Sequence, residues 1–296
     1  ARLVFAPLVT LTETLVDDRR VYRRGGLKGR AALALDRLTL ESADLVLTDT
    51  EAHRAWIARR ISARARTATV YLGAEPSFRP TAPHPRRAGD PLRVLFYGQY
   101  VPLHGTAVIV EAAALLAREG GIEITMIGTG PERAAAARLA ATRAVPCLQF
   151  EDWVAYDQLP ARLAACDVAL GIFGSTAKAR MVIPTKVYQA AAAGRAVLTA
   201  DTPALREVFT PEEDVLVVRD GDPRALAAML RRLRDTPELT ARVGAAAGRL
   251  LAEHLDPPAQ GSRLRELLGA TFPDLAGRFA PRPATITPAF ASAQVR

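Results

Sequence analysis

The stretch LRVLFYG at residues 92–98 decides the fold, because it is a short apolar run that stops at a glycine. Such a run is typical of a strand that is buried on both faces of a parallel sheet. Similar runs predict further strands at 122–127, 147–150, 167–173, 195–200 and 214–218. Segments with helical periodicity lie between them, at 105–119, 131–143, 157–165, 184–193, 203–208 and 222–234. Parallel neighbours need long connections and helices must cover both faces, so we predict an α/β fold with a doubly wound, Rossmann-type sheet.

The pattern changes along the chain and divides it into four regions. Residues 1–80 show the same alternation in shorter form, with helices at 29–42 and from Thr50 and strands at 44–48 and 67–72. We interpret them as part of a second α/β domain, on the N-terminal, acceptor side. Residues 81–91 are a linker by composition, and 92–255 are the larger domain. Residues 256–296 predict a helix near 262–269 and a mobile tail from 281. The first residues are typical of neither a signal peptide nor an initiator region, so we expect the chain to begin partway through a longer protein.

The chain is basic, with 39 Lys and Arg residues against 31 Asp and Glu residues and a net charge of +8. This charge permits anionic partners such as nucleic acid, phosphorylated metabolites or an anionic membrane surface. The arginines are spread along the chain without a recognition helix or an aromatic ladder, so we expect no nucleic-acid partner. Only Lys28, Lys178 and Lys186 are lysines, which makes the position of each lysine informative.

Cysteine and histidine usage argues against several classes of site. Cys147 and Cys166 form no Cys-x-x-Cys pair, so neither a disulfide framework nor a zinc site is indicated, and a reducing compartment fits. The four histidines are scattered, so they suggest neither a Ser-His-Asp arrangement nor a metal cluster. We therefore expect no metal and no resident cofactor. No run approaches ~18 apolar residues, so no membrane-spanning helix is predicted.

In an open parallel sheet the ligand binds outside the carboxyl ends of the strands, so the loops that follow the strands are the candidate site. The loop at 98–105 has Gly98 and Gly105 at its ends, which lets its backbone approach an anion, although a tight turn would also explain it. Gly128 and Gly130 follow the next strand. They lack the third glycine of a dinucleotide fingerprint, so close backbone approach is favoured over a full dinucleotide site.

Two later loops add an aromatic residue and basic residues. Trp153 and Val154 follow the third strand, where they would hold a nucleobase or simply pack. The loop at 174–183 carries Lys178 and Arg180 and leads into a helix that opens at Pro184. Lys186 lies in the first turn of that helix, where a cation opposes the helix dipole and a bound anion would compensate it. The alternative is a solvated basic loop in which Lys186 points to water.

Two residues outside these loops have two interpretations each. Glu207 follows a strand and a turn, so it would contact a sugar or cap a helix. His53 follows a helix start, and we expect it to cap or pack rather than to bind a ligand.

Several short motifs occur together in residues 93–255. They are the Gly-x5-His-Gly opening at 98–105, IGTGPER at 127–133, YDQL at 156–159 with ACD at 165–167, PTKVYQA at 184–190 with Gly194, and DTPALRE at 201–207. In this combination the region resembles the C-terminal, donor-binding domain of family 4 (group 1) glycosyltransferases with the GT-B fold. Residues 1–80 resemble the end of the N-terminal GT-B domain, with ADLVLTDT at 43–50 as its late strand and turn.

The resemblance implies a nucleotide-sugar donor. Its base would lie near Trp153 and Val154 and its ribose at Gln189. Its diphosphate would lie at the Gly98 loop and at the helix that opens at Pro184 and Thr185.

This chain departs from the family pattern at four positions. The family's Arg and Lys of the first loop are Gln99 and His104 here, and its two glutamates are Val182 and Gln189. An amide can still bond ribose hydroxyls, but it offers no carboxylate. Neutralisation of the diphosphate would then fall to other cations, with His104 assisting if it is protonated. The candidate catalytic residues are Lys178, Arg180 and Lys186.

We therefore expect a hexosyl- or related glycosyltransferase that moves a sugar from a nucleotide-diphosphate donor to a glycan or lipid-linked acceptor, with retention. The alternative is a GT-B-fold nucleotide-sugar-binding or scaffold protein whose turnover is weakened by the four departures. The resemblance favours a role in cell-envelope polysaccharide synthesis. We expect the protein in the cytoplasm, with peripheral contact with the inner face of an anionic membrane as an open option.

Overall fold

The computed structural model of the chain describes residues 1–80, 86 and 89–278. Most of the predicted linker and the tail predicted to be mobile lie outside the described residues. Within these ranges the strands form two sheets, one of three strands and one of six, and all their pairings are parallel. The predicted α/β class and the doubly wound parallel sheet are confirmed.

The smaller sheet forms from residues before the predicted linker. Its strands are β1 (Val4–Phe5), β2 (Leu45–Thr48) and β3 (Thr67–Thr69), paired in that order, and its helices are α1 (Leu27–Glu41) and α2 (Glu51–Arg60). A π-helical segment at Thr12–Asp18 was not predicted. The Asp36 carboxylate accepts hydrogen bonds from the backbone N–H groups of Leu11 and Thr12 at 3.0 and 2.6 Å, so a tertiary contact fixes where this segment begins.

The first strand of the larger sheet, β4, is formed by the apolar run at residues 92–97. The strands of this sheet are β4 (Leu92–Tyr97), β5 (Ile122–Ile127), β6 (Leu148–Glu151), β7 (Val168–Leu170), β8 (Ala196–Ala200) and β9 (Leu216–Val218). Their order across the sheet is β6-β5-β4-β7-β8-β9. Winding therefore reverses between β4 and β7, which makes their carboxyl ends the switch point where ligands bind in such sheets.

Helices cover both faces of this sheet. They are α3 (Thr106–Leu116), α4 (Arg133–Arg143), α5 (Leu159–Ala164), α6 (Thr185–Ala192), α7 (Pro223–Asp235) and α8 (Pro237–His254). Val94 and Phe96 of β4 belong to one apolar cluster, with residues of α3 and α7. Leu95 and Tyr97 belong to a second cluster, with residues of α6 and α8. The continuous apolar run of β4 is thus explained by burial on both faces.

Two predicted helices differ from those observed. The segment predicted at 203–208 forms only a 3-10 turn, Leu205–Glu207. The last helix, α9 (Pro257–Thr271), begins earlier than predicted. Prolines fit the first turn of a helix because its N–H groups have no intrahelical partner, and Asp256 caps this helix by accepting from the Ala259 N–H at 2.8 Å.

Glu207 links the two sheets by capping a helix. Its carboxylate accepts hydrogen bonds from the N–H groups of Glu51 and Ala52 in the first turn of α2, at 2.6 and 2.7 Å. The prediction that Glu207 caps a helix is therefore confirmed, and the capped helix is α2, which lies beside the smaller sheet. The Thr50 hydroxyl, just before α2, donates to the Met181 carbonyl of the opposite side at 2.5 Å.

We predict that Glu207→Ala lowers the free energy of unfolding by about 1–2 kcal/mol, because two helix N–H groups lose a charged acceptor. Denaturant titration followed by circular dichroism measures this change. The exposed Glu213 provides the control, since Glu213→Ala removes a carboxylate without such a contact. Equal stability of the two variants would show that the cap contributes nothing.

Candidate functional site

The loop after β4 forms one wall of the candidate site. Gly98 has a φ of +144°, a conformation that side chains rarely adopt. A Cβ at Gly98 would lie 3.1 Å from His104 Cε1 and 3.7 Å from Lys186 Nζ. Glycine therefore keeps the space beside the Lys186 ammonium free of a side chain.

The other glycines predicted for donor binding pack backbone against backbone. A Cβ at Gly128 would lie 2.1 Å from the Gly98 carbonyl oxygen, and one at Gly130 would lie 2.5 Å from the Tyr100 nitrogen. A Cβ at Gly105 would lie 2.5 Å from the nitrogen of Gly174, in the loop after β7. At all three positions the close approach is to a neighbouring loop, and the approach of this backbone to a bound anion stays a prediction.

His104 is neutral at physiological pH. Burial, and next the charge of Lys186, lower the pKa of its imidazole to about 3. Its Nδ1 bonds the Gln99 carbonyl oxygen, which can only accept, so Nδ1 carries the proton and Nε2 is left as an acceptor. The chain without a ligand therefore holds His104 neutral, and its assistance at a diphosphate stays a prediction. Its neighbour Gln99 has an exposed side chain.

Lys186 is buried, and no carboxylate of the residues that the structure describes pairs with its ammonium. The residue is 7% exposed, and its Nζ lies 3.9 Å from the centroid of the Phe96 ring. Within the described part of the chain, this nitrogen has no hydrogen-bond partner. Burial holds the pKa of the ammonium well below its ordinary value. The alternative in which Lys186 points to water is excluded.

The two other predicted cations have protein carboxylates as partners. Lys178 Nζ lies 3.0 Å from Glu13 Oε1 and donates to the Thr14 hydroxyl at 3.2 Å. Arg180 is half exposed, and it pairs with Asp220 at 3.2 Å. A role for these two residues at a diphosphate stays a prediction, and each would have to share its charge with a carboxylate already bound.

The helix that carries Lys186 starts as predicted from the sequence. Pro184 is its N-cap residue, with extended φ and ψ of −63° and 144°, and the exposed Thr185 is its first residue. One turn later, Gln189 accepts a hydrogen bond from the Tyr97 hydroxyl at 2.9 Å. Its amide nitrogen donates to the Tyr156 hydroxyl at 2.7 Å and to Glu75 Oε2 at 3.2 Å. Gln189 is therefore already engaged at both ends of its amide.

Trp153 and Val154 differ in burial. Trp153 is 63% exposed, so its ring is not part of the core, whereas Val154 is half buried against the cluster that includes Tyr97. An exposed indole beside a sheet edge leaves a flat apolar face open to a ligand. Its role in holding a nucleobase stays a prediction.

A buried charge cluster between the two sheets was not predicted. His53 Nε2 lies 3.2 Å from Glu13 Oε2, and His53 Nδ1 lies 2.8 Å from Asp49 Oδ1. Burial alone would lower the pKa of His53, but its hydrogen bonds to Asp49 and Glu13 outweigh burial and raise it to about 9. With Lys178 on its other oxygen, Glu13 joins two cations from opposite sides of the cleft. The sequence held one signal for this cluster, namely the rarity of lysine.

The part of the chain that the structure describes contains neither a cluster of metal ligands nor a membrane-spanning helix. No group of three or more His, Cys, Asp or Glu side chains there is arranged to hold a metal ion. No helix in the same ranges combines the length and the apolar character needed to cross a bilayer.

Comparison with known proteins agrees with this architecture. Residues 91–236 match the family model of group 1 glycosyl transferases. The chain is 27% identical over 147 residues to the amylovoran biosynthesis glycosyltransferase AmsK of Erwinia amylovora, an alignment that covers 49% of this chain and 36% of that relative. The matched part thus spans little more than a third of the relative's length.

Solved structures show the same fold. Sucrose-phosphate synthase from Thermosynechococcus elongatus superposes with a TM-score of 0.75 at 19% identity, covering 92% of this chain and 68% of that chain. HepE from Anabaena, solved in complex with UDP-glucose, superposes with a TM-score of 0.74 at 15% identity, covering 91% and 72%. The fold is GT-B-like, as predicted.

We predict that His53 makes stability depend on alkaline pH. Its pKa is raised from 6.5 to about 9 in the folded chain, so its stabilising contribution is complete below pH 6.5 and is lost as the pH rises through 9. The free energy of unfolding, measured by urea titration between pH 6 and pH 9.5, should fall more steeply in the wild type than in His53→Gln. His254→Gln, at an exposed histidine, is the control, and it should retain the slope of the wild type. Parallel pH profiles for wild type and His53→Gln would contradict the assignment.

Proposed function

We propose that the chain is a glycosyltransferase that moves a sugar from a nucleotide-diphosphate donor to an acceptor hydroxyl, with retention of configuration. The observation that carries the proposal is the ammonium of Lys186, which is buried beside Gly98 and has no counter-ion among the described residues. A buried charge without a partner is costly, and an anion bound at this position would remove the cost.

The surroundings of Lys186 suit a diphosphate in particular. The first N–H groups of α6 have no intrahelical acceptors, and the positive end of its dipole lies at the same place. Gly98 has no side chain that would stand between a ligand and the ammonium, since a Cβ there would lie 3.7 Å from Lys186 Nζ. The site also lies at the carboxyl ends of β4 and β7, where the winding of the sheet reverses.

The chemistry follows from where charge develops. As the bond between the sugar carbon and the phosphate oxygen breaks, negative charge grows on the leaving diphosphate. Lys186 and the amides of α6 stabilise that charge in a partly dry cleft, where such contacts act more strongly than in water. The acceptor hydroxyl attacks the oxocarbenium-like sugar from the face that the diphosphate leaves, and its proton passes to the diphosphate. Side chains and amides neutralise the charge in this proposal, without a metal ion.

The neutral His104 suits a different part of the donor. Its Nε2 is an acceptor, and it would repel phosphate oxygens but accept a hydrogen bond from a hydroxyl group. We assign it to the transferred sugar, next to the diphosphate held by Lys186.

The similar proteins support the class of donor and the setting. HepE was solved with UDP and with UDP-glucose, and AmsK is described as an amylovoran biosynthesis glycosyltransferase. By analogy we propose a UDP-hexose donor, a glycan or lipid-linked acceptor of envelope polysaccharide synthesis, and a place in the cytoplasm at the inner membrane face.

A second candidate is a nucleotide-sugar-binding protein that has lost turnover. It is favoured by Val182, a buried apolar residue at a place where the family usually has a glutamate. Both candidates predict binding of a nucleoside diphosphate, and only the first predicts release of a diphosphate from a nucleotide sugar in the presence of an acceptor.

We predict that Lys186→Met lowers the rate of sugar transfer or donor hydrolysis by ~10²- to 10³-fold, as expected when one charge-stabilising group is removed. The melting temperature should stay within a few degrees of the wild type or rise, because the variant removes a buried nitrogen that has no hydrogen-bond partner among the described residues. Lys28→Met, at an exposed lysine, is the matched control. Turnover at the wild-type level in Lys186→Met would refute the assignment.

We also predict that binding of a nucleoside diphosphate raises the melting temperature and takes up a proton. A ligand at 100 times its dissociation constant stabilises the fold by ~2.7 kcal/mol, so a thermal-shift screen of UDP, ADP, GDP and CDP identifies the base. Because burial lowers the pKa of Lys186, a bound diphosphate should restore its charge. Calorimetry in HEPES and in Tris should then give different heats for the wild type and equal heats for Lys186→Met. The absence of a shift with all four nucleotides would count against both candidates.

A further inference from the structure

Four polar side chains form a hydrogen-bonded cluster beside α6, the helix that carries Lys186; they are Tyr97, Gln189, Tyr156 and Glu75. The Tyr97 hydroxyl donates to Gln189 Oε1 at 2.9 Å, and Gln189 Nε2 donates to Glu75 Oε2 at 3.2 Å and to the Tyr156 hydroxyl at 2.7 Å. The Tyr156 hydroxyl in turn donates to Glu75 Oε1. Donors and acceptors thus run in one direction, from Tyr97 to the carboxylate of Glu75.

This direction leaves Gln189 poorly suited to accept from a hydroxyl group. Both hydrogens of its amide nitrogen are used, and its oxygen already accepts from Tyr97. The residue is only 4% exposed. A ribose diol has two hydroxyl groups to donate, and it would find few free acceptor positions on this amide.

Glu75 has the capacity that Gln189 lacks. A carboxylate offers about four lone-pair positions; the side chains of Gln189 and Tyr156 take two of them, and the backbone of Glu75 itself takes a third. Burial raises the pKa of Glu75, but its hydrogen bonds to Tyr156, to its own backbone and to Gln189 lower it by more. The group is therefore ionised at neutral pH, and the residue is exposed.

The position of the cluster relative to Lys186 matches the shape of a nucleotide. Gln189 and Lys186 are three residues apart on α6, so they lie on the same face, with Cβ atoms about 5–6 Å apart. The Tyr97 hydroxyl also donates to the Lys186 carbonyl oxygen at 3.3 Å, and Tyr97 immediately precedes Gly98. A ribose is joined to its diphosphate through one carbon and one oxygen, so a diphosphate at Lys186 places the diol near this cluster.

We infer that the Glu75 carboxylate, positioned by Gln189 and Tyr156, binds the ribose 2′- and 3′-hydroxyls of the donor. The inference rests on the proposed function. Glu75 lies in the segment after β3 that leads toward the larger domain, so the acceptor for the ribose comes from the connection between the sheets. The carboxylate that would bind the ribose thus belongs to Glu75 and not to a residue of α6. Gln189 of α6 holds this carboxylate in place by donating a hydrogen bond to it.

The test compares protein and ligand changes in one cycle. Calorimetry gives dissociation constants of wild type and Glu75→Gln for UDP, 2′-deoxy-UDP and 3′-deoxy-UDP. If the thermal-shift screen selects another base, the three forms of that nucleotide are used. Wild type should bind each deoxy form about 10- to 100-fold more weakly than the parent, as expected for the loss of a hydrogen bond to a charged group. Glu75→Gln should bind the parent more weakly by a similar factor and should no longer distinguish it from the deoxy forms.

Further measurements separate a binding role from a structural one. Inorganic pyrophosphate should bind wild type and Glu75→Gln equally, which shows that the variant folds and keeps the Lys186 region. Tyr156→Phe removes only one support of the carboxylate and should give a smaller loss. Glu266→Gln, at an exposed carboxylate of α9, should behave as the wild type.

Different results would overturn the role of Glu75 and the proposed function. Glu75→Gln that binds UDP as tightly as the wild type, or that still distinguishes UDP from its deoxy forms, would overturn the inference while the proposed function stands. Failure of the wild type to bind any of the nucleoside diphosphates would overturn the proposed function and this inference together.

Discussion

Direct contact of backbone with backbone shapes the rim of the larger sheet. Gly128 and Gly130 bring one loop against the loop of Gly98, and Gly105 brings the latter against Gly174, at separations that a Cβ would abolish. These contacts join the loops that follow β4, β5 and β7 into one surface. α6, which carries Lys186, begins after the last of these three loops.

Electrostatics then distinguishes cations that look alike in the sequence. Lys178, Arg180 and Lys186 lie within nine residues of one another. The first two have carboxylate partners, whereas the third has no partner in the ranges that the structure describes. Burial matters as much as the absence of a partner, because an exposed lysine would satisfy its ammonium with water.

The sequence predicted the architecture well because burial on two faces leaves a plain signature. All six strands of the larger sheet fall within the predicted runs or within one residue of them, since apolar residues dominate each run. The start of α6 was also predicted, because proline and a turn of polar residues mark it locally. The π-helical segment at Thr12–Asp18 was missed, because the contacts of Asp36 that hold its start come from a residue far along the chain.

The electrostatic details of the site could not be read from the order of residues. The pKa of His104 depends on its burial and on the nearness of Lys186, which are 82 positions apart in the chain. The contact between Gln189 and Glu75 could not be predicted either. Glu75 belongs to no motif, and the fold of the segment after β3 brings it to Gln189. Motifs indicated the candidate site, and long-range packing determines the hydrogen-bond partners and pKa values of the groups within it.

The Glu13 contacts give the boundary between the two halves of the chain an unusual character. By primary structure Glu13 belongs with the smaller sheet, yet it is a counter-charge for Lys178 as well as for His53. A separately produced fragment starting at β4 would keep Lys178 and lose the anion beside it. The larger sheet and its helices therefore do not contain all the counter-charges of their own side chains. Cutting the chain at the linker would remove the carboxylate that pairs with Lys178 in the loop before α6.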